Sequence, residues 1–327
     1  MENSKETLSF IYRNAKAYKQ SLILLSANEL GVFEALHGNR ASAGNLAKKI
    51  KSNTRALTLL LNALVSIGFL RKSGEYYSNI KDFEDYLIQG GKHYIGSSLK
   101  HDFNLVSSWK EIPAVVKSGR PASTERRTKK EQENFILAMA NSSELRIEDF
   151  FDNVDFNSCK KFMDVGGGPG TFCLNAVKRN PEITAFNFDL PETNVIARKY
   201  LNSFKEKSRI KLVNGDYFKD DFGKDFDIIL LSNIIHSLGE KDIVKLFKKS
   251  FKSISSGGKL IIKDFYIADN RIEPIRPVLF AINMLVNTKE GCAYSVKDTS
   301  RWLKTAGFTR TKYFYVNDEV EFIEAYK

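Results

Sequence analysis

The chain has 327 residues, 43% hydrophobic and 27% charged, with a net charge of +11 at neutral pH. That length is ample for about two domains with sizeable cores, and the composition excludes a disordered or fibrous chain. The positive excess divides as +6 over residues 1–100, zero over 101–150 and +5 over 151–327. There is no basic tail, so the charge reads as a lysine-rich solvated surface and not as an anion-binding arm.

The opening Met1-Glu-Asn-Ser-Lys-Glu-Thr7 is polar and lacks the apolar core of a signal peptide. The most apolar stretch, Thr58 to Leu70, is interrupted by Asn62, Ser66 and Gly68 and is too short to cross a bilayer. No membrane partner is expected. Cys159, Cys173 and Cys292 form no C-x-x-C pair, and a reduced, cytoplasmic setting follows.

Residues 11–36 carry apolar positions at helical spacing. A short helix follows over 42–50, then a turn at Ser52-Asn53 and a second helix from Thr54 to Ile67, stopped by Gly68. Phe69 to Tyr77 reads as two short strands around Ser73-Gly74. Helix, turn, helix and hairpin make a winged helix. A helix that reads DNA presents basic and polar side chains to the groove. Thr54 to Gly68 instead has one charge, Arg55, among leucines, so it is expected to be mostly buried and no nucleic acid is expected as a partner.

From Lys81 to Arg146 the pattern is helical, broken at Lys117-Ser-Gly-Arg-Pro121 and by the charged run from Glu125 to Glu133. Beyond Phe150, strand candidates at 161–165, 183–188, 210–213, 226–231 and 259–263 alternate with helical segments, and Ser255-Ser-Gly-Gly258 reads as a break before the last. Such alternation indicates an α/β domain with a parallel sheet and right-handed crossovers. Phe308 to Tyr315 and Val320 to Tyr326 fit an antiparallel hairpin at its edge. The domain reading is therefore 1–100 as the winged helix, 101–147 as connecting helices and 148–327 as the sheet domain.

The most informative stretch is Phe162-Met-Asp-Val-Gly-Gly-Gly-Pro-Gly-Thr171, a strand, a tight turn and a helix start. A dinucleotide-binding turn needs G-x-G-x-x-G, and counting from Gly166 the third glycine falls on Thr171. The glycines lie at 166, 168 and 170 instead, with Asp164 ahead of them. The second strand ends in Asp189, placed for the hydroxyls of a ribose. The third leads into Asp216 and Tyr217, an acid for an adenine amino group and an aromatic to cover its ring. Either acid alone also fits a helix cap or a turn. Three acids at three successive strand ends point to one ligand. His236 follows the fourth strand on the same edge and is a candidate base, although a lone histidine is also a common structural residue. No His/Cys/Asp cluster has ligand spacing, so no metal is expected.

The glycine turn resembles the D/E-x-G-x-G-x-G motif of class I S-adenosylmethionine-dependent methyltransferases. Further landmarks are Phe188-Asp-Leu-Pro-Glu192, Gly215-Asp-Tyr-Phe218, Ile234-Ile-His-Ser-Leu-Gly-Glu-Lys-Asp242 and Tyr294 to Phe308. With these the chain resembles O-methyltransferases of the caffeic acid, hydroxyindole and bacterial secondary-metabolite type. The resemblance implies a Rossmann-like methyltransferase domain preceded by a mostly helical winged-helix dimerisation domain, hence a homodimer, with S-adenosyl-L-methionine as cofactor. It further implies that Gly166, Asp189, Asp216, Tyr217 and Ser232 bind that cofactor, that Phe135, Met139 and Ser143 close over it from a linking helix, and that His236 is the general base flanked by Asp264. A second flanking acid of plant members falls on Ala293 and is missing, and the family's usual His-Asp pair is His236-Ser237. The acceptor pocket is expected between the linking helices and residues 276–287, with Phe103, Trp109, Phe280, Met284 and Asn287 as candidates; at helical spacing the same residues also fit plain core packing.

The implied activity is methyl transfer to a hydroxyl of a small aromatic molecule. A phenol of pKa near 10 facing a histidine near 6.5 leaves a mismatch of about 5 kcal/mol. A carboxylate beside the imidazole, and proton removal concerted with transfer, narrow it. Transfer to nitrogen or carbon on the same scaffold, a cofactor-binding protein that does not methylate, and a winged-helix regulator are the alternatives.

Overall fold

The structure, a computed structural model, describes residues 2–122, 129–144, 147–316 and 319–327. It comprises two compact units, Met1–Val106 and Ser107–Lys327.

The first unit contains α1 (Glu2–Lys16), α2 (Tyr18–Glu29), α3 (Val32–Leu36), β1 (Ala41–Ser42), α4 (Ala43–Lys49), α5 (Thr54–Ser66), β2 (Leu70–Ser73), β3 (Tyr76–Asn79) and α6 (Lys81–Leu87). Ser42 Oγ accepts from Asn45 N and Asn53 Oδ1 from Ala56 N, so each side chain satisfies an amide that the start of α4 or α5 leaves unpaired. The two-residue β1 pairs with β3 and adds a third strand to the expected hairpin. Phe33, Leu36, Leu46, Leu61 and Tyr77 pack the core. The expectation of a mostly buried α5 needs correction. Leu57, Leu61 and Leu64 form one buried stripe, while Leu59, off that stripe by the helical period, is 59% exposed.

The helix α7 (Gly96–Lys110) runs into the second unit, where α8 (Ile112–Ser118), α9 (Lys129–Glu144) and α10 (Ile147–Asn153) follow. The alternating half then contains β4 (Lys161–Val165), α11 (Thr171–Arg179), β5 (Thr184–Asp189), α12 (Pro191–Leu201), β6 (Ile210–Asn214), β7 (Phe226–Ser232), α13 (Glu240–Ser253) and β8 (Ile254–Lys263). After them come β9 (Tyr266–Ile267), α14 (Ile275–Asn287), β10 (Tyr294–Ser295), α15 (Val296–Ala306), β11 (Arg310–Val316) and β12 (Glu319–Tyr326).

Seven strands form one sheet in the order β11-β12-β8-β7-β4-β5-β6. The five from β8 to β6 are parallel, and β12 and β11 add an antiparallel edge. From β4 the chain winds outward through β5 and β6, then returns to β4's other side as β7. The order therefore reverses at β4/β7, where open α/β sheets form a crevice beyond their carboxyl ends. Helices cover both faces over two apolar cores, one including Phe162, Phe172 and Phe322, the other Phe188, Phe226 and Trp302. The break expected at 255–258 lies inside β8: Gly257 takes a positive φ of 78°, and the register with β7 slips between Phe226 and Ile228.

Candidate active site

At the carboxyl end of β4 the turn Gly166–Gly170 closes with φ of 68°, 55° and 85° at its alternate glycines. These are left-handed values that only glycine adopts without strain. A Cβ on Gly166 would lie 2.4 Å from Ile234 Cδ1, so the turn also approaches the loop after β7 closely. Gly168 has nothing within 4 Å of where a Cβ would stand.

Asp164 ends up 1% exposed, and neither carboxylate oxygen has a hydrogen-bond partner among the described residues. Burial, reinforced by Asp189, pushes its carboxyl well above the usual range. Asp189, last residue of β5, accepts from Gly168 N at 2.8 Å and from Leu190 N at 2.7 Å. Burial raises its carboxyl, and those amide bonds work against the rise. Asp216 lies beyond β6, where the Phe218 amide, and then Lys219, hold its carboxyl low. Burial raises the neighbouring Tyr217 phenol, whose hydroxyl faces Ser237. Ser232, half-buried, closes β7.

His236 sits in a single 3-10 turn, Ile235–Ser237, after β7. Its Nδ1 is 2.7 Å from Asp264 Oδ1, and the two side chains are 14% and 2% exposed. The same carboxylate accepts from Phe265 N at 2.8 Å and from His236 N at 3.3 Å. A carboxylate already taking amide protons is an acceptor, so Nδ1 carries the hydrogen and the neutral ring keeps its lone pair on Nε2. Nε2 has no hydrogen-bond partner among the described residues. Ala293, where the second acid is missing, is fully buried. The adjacent Cys292 N instead donates to His236 O at 2.8 Å, which secures the backbone of the turn from the other side. Ser237 Oγ donates to Ile234 O and closes the turn itself.

Phe280, on α14, meets the imidazole edge-to-face at 4.9 Å and stacks on Phe265 at 4.1 Å. One turn along α14, Asn283 Oδ1 accepts from Trp109 Nε1 and from Asn287 Nδ2, each at 3.0 Å. Phe280, Asn283 and Asn287 share one helix face, so Trp109 and Asn287 meet at Asn283, a residue that the sequence reading missed, one turn from the Phe280 that touches His236. Met284 is buried on α14. Phe103 lies in the first unit, partly buried on α7. Phe135 and Met139 are partly buried on α9; the side chain of Ser143 lies outside the described residues.

Residues 112–309 match the family model of the O-methyltransferase domain, and residues 12–81 that of the O-methyltransferase dimerisation domain. The chain belongs to the O-methyltransferase family. It is 26% identical to the 3-hydroxy-5-methyl-1-naphthoate 3-O-methyltransferase of Streptomyces sahachiroi, over 88% of this chain and 86% of that protein. It is 25% identical to the tetracenomycin polyketide synthesis 8-O-methyl transferase of Streptomyces glaucescens, over 90% and 89%. The crystal structure of human N-acetylserotonin methyltransferase in complex with SAM superposes with a TM-score of 0.90 at 23% identity, covering 98% of this chain and 97% of that one, which shows the shared fold. This methyltransferase thus has the expected class I domain behind a helical dimerisation domain. Among its described residues, no helix is long and apolar enough to cross a membrane.

Proposed function

We propose that the protein is an S-adenosylmethionine-dependent O-methyltransferase acting on a hydroxyl of a small aromatic molecule, with His236 as general base. The single observation that carries the base assignment is the 2.7 Å contact between His236 Nδ1 and the buried Asp264 carboxylate at the rim that the glycine turn shares.

The residues at that rim fit the donor. Asp164 is a buried carboxylate lacking a partner beside a turn that only glycine can form, which suits the ammonium of an amino acid. Asp189 keeps lone pairs for ribose hydroxyls, Asp216 stands ready for an adenine amine, and Tyr217 and Ser232 flank the ring. Phe135, Met139 and Ser143 on α9 would close over it. When bound, the donor supplies an electrophilic methyl group on a sulfonium.

The chain's own residues do the rest. Trp109, Phe280, Asn283 and Asn287 orient the acceptor, with Met284 as further lining. His236 Nε2 takes the hydroxyl proton as the oxygen attacks. Asp264 holds the ring's tautomer and stabilises the imidazolium that forms. Positioning of the two reactants supplies much of the remaining acceleration. Residues 1–100 form the homodimer, consistent with the match of residues 12–81 to a dimerisation domain, and residues 101–147 link it to the methyltransferase domain.

His236→Ala tests the assignment. Calorimetry with S-adenosylmethionine should show unchanged affinity, while methyl transfer falls by at least about a hundredfold, the usual size of a general-base contribution. Full turnover by the variant would remove His236 from the mechanism.

A further inference from the structure

Asn187 stands in the middle of β5 between Phe186 and Phe188, where an apolar side chain is the ordinary choice, and it is 0% exposed. Its Nδ2 donates to Gly168 O at 3.2 Å and to Asn194 Oδ1 at 3.1 Å. Asn194, 2% exposed on α12, donates in turn to Asp189 O at 3.2 Å, Val213 O at 2.9 Å and Asn214 Oδ1 at 2.9 Å. A run of buried amides thus passes from the glycine turn beneath the ends of β5 and β6.

We infer that Asn187, anchored by Asn194, is a positioning residue for the methyl donor, holding the Gly166–Gly170 turn in its ligand-receiving shape before the donor arrives. This rests on the cofactor assignment proposed above. Gly168 N is held by Asp189 Oδ2 and Gly168 O by Asn187 Nδ2, so both peptide planes flanking that Cα are fixed by two side chains of one strand. Glycine has more backbone freedom to lose than any other residue. A turn of four glycines left unheld would have to be ordered at the moment of binding, at the expense of affinity. Gly167 supports the same reading from the other side. A Cβ there would fall 2.2 Å from Asn187 Oδ1, so the amide is seated directly against the turn, and glycine at 167 is what admits it. An apolar residue at 187 fills the space but offers Gly168 O no donor, and buried polar groups are otherwise hydrogen-bonded.

A purely stabilising role for the two amides gives a different result. The full-length chain, Asn187→Val and Asn187→Val/Asn194→Val are compared by calorimetry with S-adenosylhomocysteine and S-adenosylmethionine, by thermal melting, and by amide hydrogen exchange without ligand. In Asn187→Val both dissociation constants should rise at least about tenfold, and exchange should quicken across residues 166–170 while that of β8 is unchanged. The double variant also strands Asp189 O, Val213 O and Asn214 Oδ1, so it should melt lower than Asn187→Val without binding the donor still more weakly. An Asn187→Val affinity within about threefold of the parent's, or an affinity that falls further in step with stability in the double variant, would overturn the inference and leave the cofactor assignment intact. A parent chain that binds neither compound would overturn that assignment and the inference with it.

Discussion

Asp264→Asn separates charge from geometry at the proposed base. Asparagine keeps an oxygen in reach of His236 Nδ1 and Phe265 N, so the ring's tautomer survives, while the negative charge is lost. With Nδ1 and Oδ1 2.7 Å apart, the centres of the two charged groups lie about 4 Å apart. At an effective dielectric constant of about 20, that attraction is about 4 kcal/mol once the imidazole has taken the proton. With the proton half-transferred in the transition state, about half of it, about 2 kcal/mol, is lost in the variant, a rate reduction of about thirtyfold. The assay is single-turnover transfer of a labelled methyl group, at saturating donor, to the acceptor that gains label in an extract of the protein's own cells. The deficit should shrink as pH approaches about 10, where a phenolic acceptor ionises without help. A deficit below threefold, or one that is constant with pH, would refute the role given to Asp264.

Three further outcomes follow at the glycine turn. Because burial raises the Asp164 carboxyl, the folded chain without ligand holds that proton more tightly than the unfolded chain, so stability falls as pH rises from about 3.9 through the folded value. Asp164→Asn should therefore melt higher than the parent at neutral pH, the gain vanishing toward pH 4, while binding S-adenosylmethionine more weakly; equal melting at pH 7 would contradict it. Gly167→Ala drives a methyl group into Asn187 and should destabilise by about 1–3 kcal/mol, a loss reduced in an Asn187→Ala background. Gly168→Ala has space but a left-handed φ, so its loss should be about 1 kcal/mol and come from backbone strain without a clash, as denaturant midpoints will show.

Much of the fold was legible because its signals are local. Strand, glycine turn and helix start follow one another within ten residues, and the acids at 164, 189 and 216 mark strand ends by position alone. The capping side chains Ser42 and Asn53 marked their helices in the same way. What escaped depends on distant partners. Asn283 joins Trp109 across 174 positions of sequence, and no periodicity contains that bond. The continuation of β8 through Ser255–Gly258 is owed to its neighbour β7, whose slipped register absorbs the glycines. Leu59 belongs to a leucine-rich run yet falls outside the buried stripe, since composition alone does not say which side of a helix is covered. Asn187 left one trace, a polar residue between two phenylalanines.

His236 and Asp264 are joined at ring and backbone alike, and the turn bearing the imidazole is tied again at its carbonyl by Cys292. None of these ties comes from α14, which carries Phe280, Asn283 and Asn287. Apart from Phe280, which packs on the ring, the side chains proposed to face the acceptor can therefore drift while the proposed proton-handling pair stays in register. In an architecture of this kind, new substrates are an inexpensive step for evolution and a change of chemistry is a hard one.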